Sequence, residues 1–310
     1  MAANNRNDLN GSGILQEWLQ RKFLKNFDPN LVFAQFAESP DTPEGYNTLR
    51  WAKFTTIAEG SVTTGTTSND GVTPSDTSIA VTSTTATPTQ YRIVTNLSDM
   101  LLGTNPLPLL TKTAERVGVV MAKVLDTVVQ SAINGGTYVY YGGSASARTG
   151  LGATDVLTTT LLLKASQKLR SLDAPEIGGY YIGVAHPLAE YDLKASTSTS
   201  VQTWFDAHKY AKPDEIFNGE IGSFGGVRLI RSSHVNTFTS TTTVYPTYVF
   251  GAQAFGLGYW QRPQVFVTDM VPSDSDPAAQ RRRVSGKMAV AAVLLQDTAL
   301  VRIETGATAL

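Results

Sequence analysis

Between Thr55 and Gln90 the chain runs without a single Lys, Arg, Phe, Tyr or Trp, and Thr, Ser, Gly and Val dominate it. Thr and Val favour extended backbone, and Gly65 with Asn69-Asp70-Gly71 supplies turn chemistry, so the stretch reads as a long β-hairpin. A two-stranded hairpin with almost no large apolar side chain is marginal in water. It must lie on something else. One reading is a surface loop; the reading favoured by the composition is a hairpin supported by an adjacent copy of the same chain.

The remainder can supply the core that this stretch lacks. At 310 residues and 42% hydrophobic content, the chain can build one large domain or two ordinary ones. A formal net charge of −1 gives no basic excess of the kind nucleic-acid-binding domains carry, although a container need not grip what it encloses. With no cysteine, disulfides, thiolate metal sites and cysteine nucleophiles are excluded. The polar start, Met1 to Asp8, lacks the apolar core of a signal peptide. The longest apolar run, Met288 to Leu295, is far short of the roughly 20 residues that span a bilayer. The expectation is a soluble product of a cytoplasm with no membrane partner.

Apolar periodicity predicts the elements. Ile14, Leu15, Trp18, Leu19 and Phe23 recur at helical spacing and Asp28-Pro29 ends that helix, followed by the apolar run Leu31 to Ala37. The helix either packs on its own core or docks on a neighbour. A long helix is predicted over about 109–134, with a stripe of Leu110, Ala114, Val117, Met121, Val124, Val128 and Ala132. Lys112, Glu115, Arg116, Lys123 and Asp126 fall on its other faces, and Gly135-Gly136 stops it. Tyr138 to Gly152 reads as an exposed loop. A second helix, with Asp155 as N-cap, runs through Leu161, Leu162, Ala165 and Leu169. Tyr180 to Ala185 is a buried strand closed by His186-Pro187, and Leu188 to Lys194 is a helix. Gly225-Gly226 turns into a strand, and strands dominate after Tyr248. Helices and strands mix without βαβ alternation, so the class is α+β.

Chemistry is scarce. His186, His208 and His234 share no metal-ligand spacing with each other or with carboxylates, and His186 reads as a turn cap. No phosphate-binding loop, nucleophile elbow or zinc-protease motif is present; the Gly219 to Gly226 stretch lacks a phosphate-loop lysine. No catalytic residue, cofactor or metal is expected. Arg281-Arg282-Arg283 is the one basic cluster, preceded by Asp274 and Asp276. It reads either as a solvated loop of compensating charges, or as a contact with DNA or with a neighbour's acidic patch.

In order and in residues, the chain resembles the HK97-like major capsid proteins of tailed phages, and within them the N4-like phage capsid family. The resemblance is carried by Leu31-Val32-Phe33-Ala34-Gln35-Phe36-Ala37, by Glu59-Gly60 with Gly71-Val72-Thr73-Pro74, and by Tyr180 to Pro187. Ile216-Phe217-Asn218-Gly219-Glu220-Ile221-Gly222 with Gly225 to Arg228, Val249 to Gly256 and Ala299 to Glu304 complete it. It implies an N-terminal arm over 1–50, an extended β-hairpin loop over 51–91, a peripheral domain over 92–152 and 250–310 that contains the long spine helix, and an axial domain over 153–249. It further implies a self-assembling icosahedral shell of pentamers and hexamers around double-stranded DNA, without sequence-specific binding. A portal, a separate scaffolding protein and a decoration protein are the implied partners, and the virion, assembled in the host cytoplasm, is the implied location. Lys53, Thr63, Thr64, Val72, Pro74 and Arg92 fall at implied subunit contacts. Some relatives seal the shell with Lys–Asn isopeptide bonds, but the hairpin beyond Lys53 has no lysine nucleophile. Two rival readings stay open: a cellular nanocompartment shell of the same fold, and a Thr-rich adhesin or binding module.

Overall fold

The computed structural model describes residues 12–27, 31–42, 46–54, 73, 78–104, 107–195, 220–268, 270, 272 and 276–308. The N-terminal helix α1 (Ser12–Phe27) buries Leu19, Phe23 and Phe27. Of the two sequence readings, packing on its own core therefore holds for this helix. The segment after it folds into a short 3-10 turn, Ala34–Phe36, with Phe33 fully buried beside it.

Strands β1 (Leu49–Phe54) and β2 (Val81–Ala86) pair antiparallel as a ribbon of their own, from Leu49 opposite Ala86 to Phe54 opposite Val81. The stem of the expected hairpin is therefore present, and Thr63, Thr64, Val72 and Pro74 lie outside the described residues. The chain leaves the ribbon at Ala86 and enters β3 (Thr89–Ser98), which belongs to a different sheet. The short helix α2 (Asp99–Thr104) leads into the spine helix α3 (Leu109–Ile133), about 37 Å long at 1.5 Å per residue.

Beyond α3 come β4 (Val139–Tyr141), α4 (Thr159–Ser171), β5 (Tyr181–Ala185), α5 (Pro187–Ala195), β6 (Glu220–Phe224), β7 (Val227–Arg231), β8 (Phe238–Thr239) and β9 (Thr243–Phe250). The long strands β10 (Phe255–Thr268) and β11 (Arg281–Leu294) and the closing β12 (Leu300–Thr305) complete the chain. Two sheets result. One has the order β10-β11-β3, and the other β4-β12-β9-β5-β7-β6 with β8 on β9. The second sheet crosses the expected domain division, because β4 and β12 hydrogen-bond into the sheet that carries β5, β7 and β9. Residues 139–141, read as loop, pair in parallel with β12 instead.

The spine helix turns its buried side further toward α1 than the sequence stripe predicts. Ala114, Val117 and Met121 are buried as expected, but Leu125, Val129 and Ile133 replace Val124, Val128 and Ala132, which stay half-buried. The reason is close approach: a Cβ on Gly118 would lie 2.7 Å from the Phe23 carbonyl oxygen, so only glycine lets α1 settle there. On α4 the expected cap also moves. Thr158 in extended conformation accepts the Leu161 N–H, while the Asp155 carboxylate folds back onto the Gly152 N–H.

In the β6–β7 turn, Gly225 and Gly226 both have positive φ (60° and 83°), the geometry of a two-residue hairpin turn that matches strand twist. On β12, Glu304 is fully buried and is clasped by Arg148, whose Nε donates to Oε2 at 2.8 Å and whose Nη2 donates to Oε1. Arg302 Nε lies 2.8 Å from the same carboxylate as an ion pair, though not aligned as a hydrogen bond. The Arg148 guanidinium stacks 3.8 Å from the Phe238 ring centre.

The spine phase is testable. Val117→Asp would bury an unpaired carboxylate at a cost of several kcal/mol, against a typical total stability of about 5–15 kcal/mol. Soluble yield should collapse. Val120→Asp, three residues on and exposed, should change the melting free energy by about 0.5 kcal/mol or less. Equal losses in both variants would contradict this helix phase.

Candidate assembly interface

The root of the ribbon is built into the body by a match between small and large residues. Leu49 and Trp51 are buried, and both face β10, where Gly256 and Gly258 occupy alternate positions. A Cβ on Gly256 would lie 2.6 Å from the Trp51 ring, and one on Gly258 would lie 2.5 Å from Leu49. Ala291, Val293 and Leu295 complete the seat. The Trp51 indole N–H donates to the Glu38 carbonyl at 3.2 Å, and Glu38 itself bridges to the β10 edge through Phe255 and Leu257. Asp41 accepts the Ala52 N–H on the free side of β1.

Past this root the ribbon has no cover. Ala52, Lys53, Phe54 and Ser78 to Ser83 are all exposed, Phe54 at 69%. Lys53 stands opposite Thr82, whose hydroxyl donates to the Lys53 carbonyl. Among the described residues, the ribbon past its root is held by backbone pairing, the Thr82 hydroxyl and the Asp41 carboxylate, and it presents Phe54, Ile79 and Val81 to the outside.

The β10-β11-β3 sheet has two unlike faces. Val284, Gly286, Met288 and Val290 point toward α3, with Gly286 so close to Val117 that a Cβ there would lie 2.7 Å away. Alternation places Arg281, Arg283, Lys287 and, across the register, Arg92 on the opposite face. Arg282 falls on the α3 side. The cluster read as a loop therefore begins a strand, and its turn is set by Asp276, which accepts the Gln280 and Arg281 N–H groups. The structure brings Arg92 together with Arg281 and Arg283 on one sheet, and leaves Lys53 on the ribbon.

Sequence reasoning missed a polar ladder on α3. Asp126, placed among the solvated positions, is only 1% exposed and accepts the N–H groups of Val32 (2.9 Å) and Phe33 (3.3 Å). One turn on, Gln130 donates to the His234 carbonyl at 2.8 Å and accepts the Asn236 N–H at 2.6 Å. One turn further, Asn134 accepts the Tyr248 hydroxyl at 2.6 Å, and its carbonyl accepts from Arg302. The i, i+4, i+8 spacing was the available signal, since it puts three hydrogen-bonding side chains on one flank. The histidines have structural surroundings: His186 Nδ1 accepts the Leu188 N–H, and burial lowers the pKa of both His186 and His234. His208 lies outside the described residues. Among the described residues no cluster of three potential metal ligands occurs, and no helix is long and apolar enough to cross a membrane.

A model of the phage capsid protein family matches residues 80–303. No curated protein matches at a significant level. Among solved structures, the chain is similar to the capsid of cyanophage Pam1, with a TM-score of 0.66 and 14% identity, covering 91% of this chain and 92% of that one. Against the capsid of Ralstonia phage GP4 the TM-score is 0.65 at 15% identity, covering 87% and 85%. A virus-like particle from Pyrococcus furiosus gives 0.55 at 10% identity, covering 93% and 99%.

Burial pushes the Asp126 carboxyl up to about 6, against the lowering effect of its backbone donors. Because the folded pKa exceeds the ordinary aspartate value of 3.8, this group contributes most below pH 3.8. Its contribution is lost as pH rises through about 6. Asp126→Asn removes the titration. Between pH 4 and 7.5 its denaturant stability should rise relative to wild type by on the order of 1–3 kcal/mol, on top of a pH-independent offset. A difference that stays flat with pH would contradict this assignment.

Proposed function

The chain belongs to the phage capsid protein family, and on that premise we propose that its Thr-rich ribbon is the strap by which one subunit holds the next. The protein is a structural shell subunit of HK97-like fold, a component of the virion built from many copies of itself, and not an enzyme. The observation that carries the strap is the ribbon beyond Trp51. It keeps regular antiparallel pairing while the described residues leave both its faces open. Exposed Phe54, Ile79 and Val81 on such a ribbon are contact residues awaiting a partner surface.

The finer reading follows the same premise. The shell encloses double-stranded DNA without reading its sequence, is filled through a portal, and is assembled in the host cytoplasm on a separate scaffolding protein, with a decoration protein as a further partner. The arm (1–50), extended loop (51–91), peripheral part (92–152 and 250–310) and axial part (153–249) remain the working division. The sheet shared by β4, β12 and β9 makes the last two one mechanical unit. A cellular nanocompartment shares the fold class, but the family match favours the phage shell. An adhesin role has no comparable support.

Two outcomes check this. Phe54→Asp should leave the subunit's melting profile unchanged and abolish closed particles in electron micrographs; normal particles would sink the strap. Mature particles boiled in detergent should run as one band near 33.3 kDa, because the hairpin beyond Lys53 lacks a lysine nucleophile. A ladder of covalent oligomers would show a crosslink from elsewhere.

A further inference from the structure

We propose that the face of the α1–α3 layer turned away from the sheet binds the sugar-phosphate backbone of nucleic acid through Arg21, Lys22, Lys25, Lys112, Arg116 and Lys123. The inference rests on the shell reading and names the surface that meets the enclosed polymer. On α1, Trp18, Arg21, Lys22 and Lys25 recur at i, i+3, i+4 and i+7, which puts them on one stripe. Across the helix from that stripe, Gln20 ties α1 to the sheet. Its amide nitrogen donates to the Pro263 carbonyl at 3.1 Å, and its oxygen accepts the Val265 N–H at 2.7 Å. On α3, Lys112, Arg116 and Lys123 recur at i, i+4 and i+11, again one stripe. Across the helix from it, Met121 packs on Gly286 of β11. The two helices lie side by side, with Gly118 of α3 against the Phe23 carbonyl of α1, so both stripes share one face.

Only Glu17 and Glu115 oppose these cations on the two helices, since Asp126 is turned inward to the arm. Lys112 pairs with Glu115 at 3.1 Å. Among the described residues, Arg21, Lys22, Lys25, Arg116 and Lys123 have no carboxylate in ion-pair reach. Lys22 is instead held over the Trp18 ring, 5.7 Å from its centre, and Trp18 is 45% exposed. All the cations of the two stripes are exposed or half-buried, and their excess stands in a chain whose net charge is −1. The face is also clear of the ribbon root, because Leu49 and Trp51 seat on Gly256 and Gly258 from the opposite side of the sheet.

The chemistry of this face selects a polyanion. Protein–protein interfaces are depleted in lysine and centre on a desolvated apolar cluster, whereas nucleic-acid faces are polar, positive and wet. Here lysines and arginines dominate, and the exposed apolar residues Trp18, Leu24 and Val120 occupy separate positions around them. Along α3 the cations stand about 6 and 16 Å from Lys112, so each can reach a different phosphate of a strand whose charges rise about 3.4 Å apart. Contacts of this kind position a polymer without reading its sequence. Each is weak alone, and a closed shell repeats it at every subunit.

Dissociated full-length subunits test this with a mixed-sequence duplex of about 30 base pairs, whose binding is followed from low to high salt. Arg21→Gln, Lys22→Gln and Lys25→Gln in one chain should weaken binding at least about tenfold at low salt and lower the slope of log affinity against log salt by about 2–3. Arg116→Gln with Lys123→Gln, an independent set on α3, should lower the slope by about 2, which keeps the test open if the first set misfolds. Arg92→Gln with Lys287→Gln, on the other side of the sheet, should change neither quantity, and all melting profiles should match wild type. Wild-type subunits that do not bind the duplex at low salt would overturn the proposal. So would helix variants that bind as wild type does, or a loss seen only in the sheet variant. Binding of a polyglutamate of about 20 residues as tightly as the duplex would assign the face to an acidic protein instead. Micrographs report separately on the shell reading. Wild type that closes into particles but ignores the duplex as subunits defeats this proposal alone, and wild type that never closes defeats the shell whatever its binding.

Discussion

The three polar side chains on one flank of α3 fix where everything else can go. Asp126 holds the arm at Val32 and Phe33, Gln130 holds the 234–236 loop, and Asn134 holds Tyr248 and Arg302 of the larger sheet. Burying hydrogen-bonding side chains is costly unless each is satisfied, and here each is matched to specific donors or acceptors. An apolar helix face would tolerate sliding and rotation. A buried carboxylate facing two backbone N–H groups does not, so the arm, the helix and the larger sheet share one register.

From that register follows the two-faced sheet. With α3 seated on Val284, Gly286, Met288 and Val290, the alternate residues of β11 are forced outward. Toward its C-terminal end those outward residues are Ala291 and Val293, and beside Gly256 and Gly258 they leave room for Leu49 and Trp51. Toward its start they are Arg281, Arg283 and Lys287. One strand thus carries the core on one side, and on the other both the anchor of the ribbon and a charged surface. The ribbon is held firmly at its root, and beyond it residues 52–54 and 78–83 are exposed among the described residues.

Much of this was legible in the sequence, for definable reasons. The extent of α3, the β5 strand, the Gly225-Gly226 turn and the ribbon stem all have strong local signals: periodicity, glycine pairs, or a composition that permits nothing else. The element order also sufficed for the fold. What was not legible depends on partners distant in sequence. Asp126 looks solvated because nothing nearby says that Val32 and Phe33 will cover it, and the buried arc of α3 shifts because Gly118 admits Phe23. Thr158 displaces Asp155 as cap because Asp155 is taken by Gly152. The sign of the outer sheet face was half visible: the arginine run was noticed, but which arginines share a face needs the strand register.

The central claim is that the ribbon beyond its root is fixed by a neighbouring copy, its own chain supplying strand pairing. Amide hydrogen exchange along residues 78–83, compared between closed particles and dissociated subunits, measures this directly. The account predicts slow exchange in particles and fast exchange in subunits, with Val129 and Val249 slow in both because they lie in the core. Equal protection of the ribbon in the two states would contradict it, since the order would then come from within the single chain.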